Sequence, residues 1–193
     1  MGSNFLDRNR GGVIALLILA AVVAFVYYWR TSERTPGDYE VKRGNYSLED
    51  GQLEGAIEEF RAALSENPRH KGARLGLAVA YMQKGANEKA LENFDRLLEL
   101  DPENAVAYAD RGILHDRMGR YAEALADYRR AMELNPRIAE GPGWLWRFMR
   151  NVDEKPPTIA DRAKYIEEEL KKPPEERLLR VPEVDEEQRM YKK

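Results

Sequence analysis

The sequence predicts an all-α chain: an N-terminal transmembrane helix, a solenoid of three helical hairpins, a capping helix and an extended charged tail. Three observations carry this. Asn-Pro or Asp-Pro pairs recur at Asn67-Pro68, Asp101-Pro102 and Asn135-Pro136, a step of 34 residues. On the same step recur Gly51, Gly85 and Gly119, then Ala56, Ala90 and Ala124, then Phe60, Phe94 and Tyr128. From Val13 to Trp29 the chain carries no charge.

A tail of residues 1–10, with Arg8 and Arg10, precedes the apolar segment at 11–29. About 19 residues at about 1.5 Å each give roughly 28 Å, close to a hydrocarbon core of about 30 Å. Tyr27, Tyr28 and Trp29 sit at one end, where amphipathic rings favour the headgroup level. The apolar run continues past Ala24, which favours an uncleaved anchor over a signal peptide. Leu6 stands where a myristoylated N-terminus needs Ser or Thr. Arginines flank both sides of the segment. The short basic tail points inward, so the expected location is a bacterial inner membrane with the repeats periplasmic; the cytoplasmic orientation is the alternative.

After a linker at 30–36 come three units, at 37–70, 71–104 and 105–138. In each, the glycine ends the first helix, because a residue without Cβ adopts the left-handed backbone most easily. The alanine stays small because two helices cross there. The aromatic fills the space between one hairpin and the next, and the proline closes the second helix. Second helices show apolar residues at helical spacing: Ala90, Leu91, Phe94, Leu97 and Leu98, then Ala124, Leu125, Tyr128, Ala131 and Met132.

This order of Gly, Ala, aromatic and Pro at a 34-residue step resembles the tetratricopeptide repeat family over residues 37–138. First helices follow the pattern less regularly. The second unit has Leu77, Ala78 and Tyr81 at the family's apolar, small and aromatic positions; the third has Tyr108, Gly112 and His115. The first keeps Gly44 but has Glu40, Arg43 and Ser47 elsewhere, so something else is expected to cover its outer face. The resemblance implies a concave groove lined by first helices. Mapped here, the groove comprises Val41, Asn45 and Leu48; Leu75, Val79, Met82 and Gln83; and Val106, Ala109, Ile113, Asp116 and Arg117.

One branch of the family grips acidic carboxy-terminal tails of heat-shock chaperones with a Lys, Asn and Arg clamp. Only Asn45 matches. Val41, Gly76, Val106 and Asp110 occupy positions that would need Lys, Asn, Lys and Arg. The mostly apolar lining suits a helix face or an extended apolar segment instead.

Residues 139–152 are expected to form a capping helix opened by Pro142. Its Trp144, Trp146, Phe148 and Met149 leave little polar surface, which marks them as candidate contacts for a partner or the bilayer. The tail at 153–193 holds one amphipathic helix, 158–172, capped by Thr158, with Ile159, Ala163, Ile166 and Leu170 on one face. Two fates are open to it: folding into the chain's own groove, or strapping across a partner subunit.

Composition narrows the function. A net charge of −3 with both signs interspersed offers no footprint for nucleic acid. Zero cysteines exclude disulfides and thiolate chemistry. No phosphate-binding loop, nucleophile motif or ligand-spaced histidine pair is present, so neither enzyme activity, cofactor, metal nor small-molecule substrate is expected. The expected function is a membrane-anchored adaptor, an accessory subunit or assembly factor of a larger membrane complex, with protein partners and with lipid at 11–29. The alternative is a cytosol-facing receptor or co-chaperone that docks clients.

Overall fold

The computed structural model describes residues 4–32, 35–141 and 158–179. Its α-helices are α1 (Asn4–Ser32), α2 (Asp38–Glu49), α3 (Leu53–Glu66), α4 (Lys71–Gln83), α5 (Asn87–Leu100), α6 (Ala105–Arg117), α7 (Tyr121–Leu134) and α8 (Ile159–Leu170). Two 3-10 turns, Pro136–Ala139 and Pro174–Glu176, complete the described elements. Helices α2 to α7 form three antiparallel pairs, α2 with α3, α4 with α5 and α6 with α7, stacked so that each second helix packs on the next pair.

The repeated residues do what their spacing predicts. Gly51, Gly85 and Gly119 have φ of 74°, 77° and 74°, the left-handed backbone that turns the chain from one helix into its partner. Ala56, Ala90, Ala124, Phe60, Phe94 and Tyr128 are each 0% exposed. Phe60 shows why two first-helix positions are glycine. A Cβ placed on Gly44 would meet its ring at 2.7 Å, and one on Gly76 at 2.3 Å. The ring therefore lies between α2 and α4 and joins the first unit to the second. Two apolar clusters result: one through the first and second units that also takes in Ala107 and Leu114 of α6, and one through the third unit.

The entry into the repeats is held by polar contacts. Gly37 has φ of 92°, and a Cβ there would meet the Ala63 carbonyl oxygen at 2.8 Å, so only glycine fits. Beside it, Asp38 Oδ1 lies 3.0 Å from His70 Nε2, while His70 Nδ1 accepts from the Ala73 amide. With Nδ1 accepting, Nε2 carries the proton and donates to the carboxylate. His70, at 9% exposure, thus caps α4 and pins the start of α2 to it.

Helix α8 closes the other end. Thr158 and Asp161 form a reciprocal capping box at its start. Ile159, Ala163 and Ile166 enter the cluster with Ala109, Ile113, Leu125, Tyr128 and Ile138. Because α8 packs on α7 and on the Pro136–Ala139 turn, it stands where the first helix of a fourth unit would stand. Of the two fates open to the tail helix, the structure shows packing on its own chain. The expected capping helix at 139–152, with Trp144, Trp146, Phe148 and Met149, lies almost wholly outside the described residues.

The transmembrane expectation is corrected. Among the described residues, no helix is long and apolar enough to cross a membrane. Helix α1 forms over Asn4–Ser32, but it takes in Asp7, Arg8 and Arg10 at one end and Arg30 at the other. The described side chains from Ile14 to Tyr28 are all apolar. The expected inner-membrane location and orientation rested on that span. The side chains of this run are exposed, from 49% at Val26 to 72% at Tyr27.

Candidate protein-binding site

The first helices α2, α4 and α6 lie in sequence along the stack, each touching the next. Val41, Leu48, Leu75, Val79 and Val106 are half-buried along them, their inner sides against the core. Asn45, Gln83 and Arg117 are exposed. These eight expected groove residues offer an apolar strip with polar margins. Met82, Ala109, Ile113 and Asp116 are buried, at 4%, 0%, 2% and 5% exposure. The last three lie in the third unit: Ala109 and Ile113 share the apolar cluster that α8 enters, and Asp116 is bound by Arg162 of α8.

That ion pair was not visible in the sequence. Arg162 Nε donates to Asp116 Oδ2 at 2.7 Å and Nη2 to Oδ1 at 2.8 Å, a two-pronged bond between side chains 3% and 2% exposed. The Tyr128 hydroxyl donates to the same carboxylate at 3.2 Å, and burial beside Asp116 pushes the phenol well above its ordinary range. Arg162 also donates to the Leu179 carbonyl at 3.0 Å, and Glu169 accepts from the Leu178 amide at 2.7 Å. The segment after α8 is thereby folded back against the helix.

A second polar network crosses the stack. Arg111 of α6 donates from Nε and Nη2 to Asp127 of α7 at 2.8 and 2.7 Å, and from Nη1 to Asp95 of α5 at 2.6 Å. The hydrogen bonds that Arg111 donates to Asp127, outweighing burial, raise the guanidinium pKa above its ordinary value. His115 lies 3.8 Å from Asp127, and burial lowers its pKa.

The clamp positions explain what the groove does not take. At Gly76, a Cβ would strike Phe60, so no asparagine fits. At Asp110, a carboxylate 1% exposed replaces a cation. Val41 and Val106 supply no charge. A groove so lined lacks the cations of that clamp. Among the described residues, no group of His, Cys, Asp and Glu could hold a metal ion.

Two family profiles described as tetratricopeptide repeat match the chain, at residues 47–110 and 105–138. The chain is a tetratricopeptide repeat protein. Among solved structures, the repeat domain of Arabidopsis OM64 matches with a TM-score of 0.51 and 24% identity, covering 53% of this chain and 84% of its own. The first repeat domain of Spaghetti (RPAP3), solved with the HSP90 peptide SRMEEVD, matches at 0.57 and 18%, covering 71% and 94%. The second, solved with the same peptide, matches at 0.50 and 25%, covering 52% and 94%. No curated protein matches by sequence. The repeat fold supports a role in protein–protein interaction, and repeat proteins of this family are generally interaction modules without catalysis.

Proposed function

We propose that this repeat protein is an adaptor whose groove holds an apolar segment of a partner protein, as an accessory subunit or assembly factor of a larger complex. The observation that carries this is the half-buried strip of Val41, Leu48, Leu75, Val79 and Val106 along three successive first helices. A strip of this kind gains affinity from apolar burial, about 25 cal/mol per Å² removed from water, and its exposed Asn45, Gln83 and Arg117 margins set orientation.

The test is affinity purification of the tagged full-length chain from its native cells, followed by mass spectrometry. A Leu75→Asp, Val79→Asp double variant should remain folded, at a melting temperature lowered by the lost core contacts, yet lose its co-purifying chains. A variant that keeps them contradicts the groove reading.

A second reading follows from the repeat domain that is 25% identical and was solved with an HSP90 peptide: docking of acidic chaperone tails. Gly76 and Asp110 weigh against it. Titration with SRMEEVD should give a Kd weaker than about 1 mM.

A further inference from the structure

The two ends of the solenoid are unequal. Helix α8 covers the last unit, whereas the outer face of α2 carries Tyr39 and Tyr46 at 67% and 58% exposure. The 34-residue step shows what this face is. Tyr39 corresponds to Ala73 and Ala107, and Tyr46 to Ala80 and Leu114. All four counterparts are 0% exposed, and Ala80, Ala107 and Leu114 belong to the cluster that reaches back into the preceding units. The outer face of α2 is therefore an inter-unit interface with no preceding unit among the described residues.

The same step also specifies the chemistry of the missing neighbour. Arg43 corresponds to Arg111, and Glu59 to Asp127. Arg43 pairs with Glu59 inside its unit, as Arg111 pairs with Asp127 inside its own. Arg111 has in addition the Asp95 carboxylate, supplied by the second helix of the preceding unit. Arg43 is 55% exposed in its side chain and lies over the Tyr39 ring at 5.8 Å, with Lys42 over Tyr46 at 5.9 Å. We infer that the outer face of α2 docks a helix of a partner protein that presents a carboxylate to Arg43, in the place that Asp95 takes toward Arg111, flanked by small apolar residues that admit Tyr39 and Tyr46.

A second copy of this chain is a poor occupant, because the outer face of its last second helix, α7, already lies under α8. Helix α1 does not cover the face, since its described side chains remain exposed. This surface is separate from the groove, so it neither requires nor supports the groove reading.

The probe is a stapled helical peptide with the sequence of α5, Asn87–Leu100, carrying Leu91→Ala and Leu98→Ala so that small apolar residues flank Asp95, titrated against the full-length chain by fluorescence anisotropy; the staple is needed because a free helix of this length is marginal in water. Saturable binding is expected, about tenfold weaker when the peptide carries Asp95→Lys, and restored for that peptide by Arg43→Glu in the chain. No binding, equal binding of both peptides, or binding that survives both Arg43→Glu and Tyr46→Ala overturns the inference. A Tyr39→Ala, Tyr46→Ala chain should also keep its melting temperature within about 2 °C of the parent. A larger fall shows that the chain's own residues cover the face, and overturns it equally.

Discussion

Arg162 and Asp116 make a buried pair whose members cannot be removed singly at low cost. Arg162→Met leaves a carboxylate 2% exposed without its guanidinium, a change of the kind that costs about 3–5 kcal/mol. Replacing both, as Arg162→Met with Asp116→Leu, should recover most of that loss; urea unfolding of the two variants measures the difference. Gly76→Ala is the steric counterpart. Its new methyl would lie 2.3 Å from the Phe60 ring, so overpacking of about 1–3 kcal/mol is expected in the same assay. His115 gives a pH signature. Burial lowers its pKa, so the folded chain favours the neutral ring. Its contribution is complete above the unfolded value of about 6.5 and is lost as pH falls from there toward the lower folded value. His115→Gln should flatten that part of the stability curve, read by thermal melts at successive pH. None of these constraints was legible: Gly76 was read only as a clamp position without its asparagine, and on the repeat step it falls with Lys42 and Asp110 rather than with glycines. The Arg162–Asp116 pair joins residues 46 apart in a charge-rich chain, and no spacing rule singles it out.

Helices α2 to α7 were readable one by one, since period and punctuation agree: apolar residues at helical spacing, a left-handed glycine within each pair, a proline after it. Helix α8 was readable as an element through Thr158, Asp161 and the Ile159, Ala163, Ile166 stripe, but its destination was not. A narrow apolar stripe states that something covers it, and only the fold shows that α7 and the Pro136–Ala139 turn do so. Removing the chain from residue 153 onward should expose Ala109, Ile113 and Tyr128, lower the melting temperature and raise binding of a hydrophobic dye. A truncated chain that melts unchanged would show that α8 contributes nothing to the array. Helix α1 was correctly read as a helix and misread as a span, because the count at 11–29 assigned the whole segment to one apolar rod. Among the described residues no helix is long and apolar enough to cross a membrane.

At the scale of the molecule, three hairpins and a closing helix form a one-dimensional stack in which each unit touches its neighbours. Such a stack concentrates specificity on two kinds of surface, the groove along the first helices and the exposed ends. Here the groove carries Val41, Leu75, Val79 and Val106, with Val41 and Val106 at positions where the peptide clamp needs lysine, while the far end is sealed by α8. The expected groove residues came from the repeat register alone; the burial of Ala109, Ile113 and Asp116 was not legible there, because it depends on a helix that returns after an interruption in the repeat pattern. The most direct measurement of the central claim is a binding titration of the partner recovered from native cells against the parent chain and the Leu75→Asp, Val79→Asp variant. A loss of at least about tenfold in affinity, in a variant that remains folded at the temperature of the titration, is the predicted result. Equal affinity for the two chains would contradict the account.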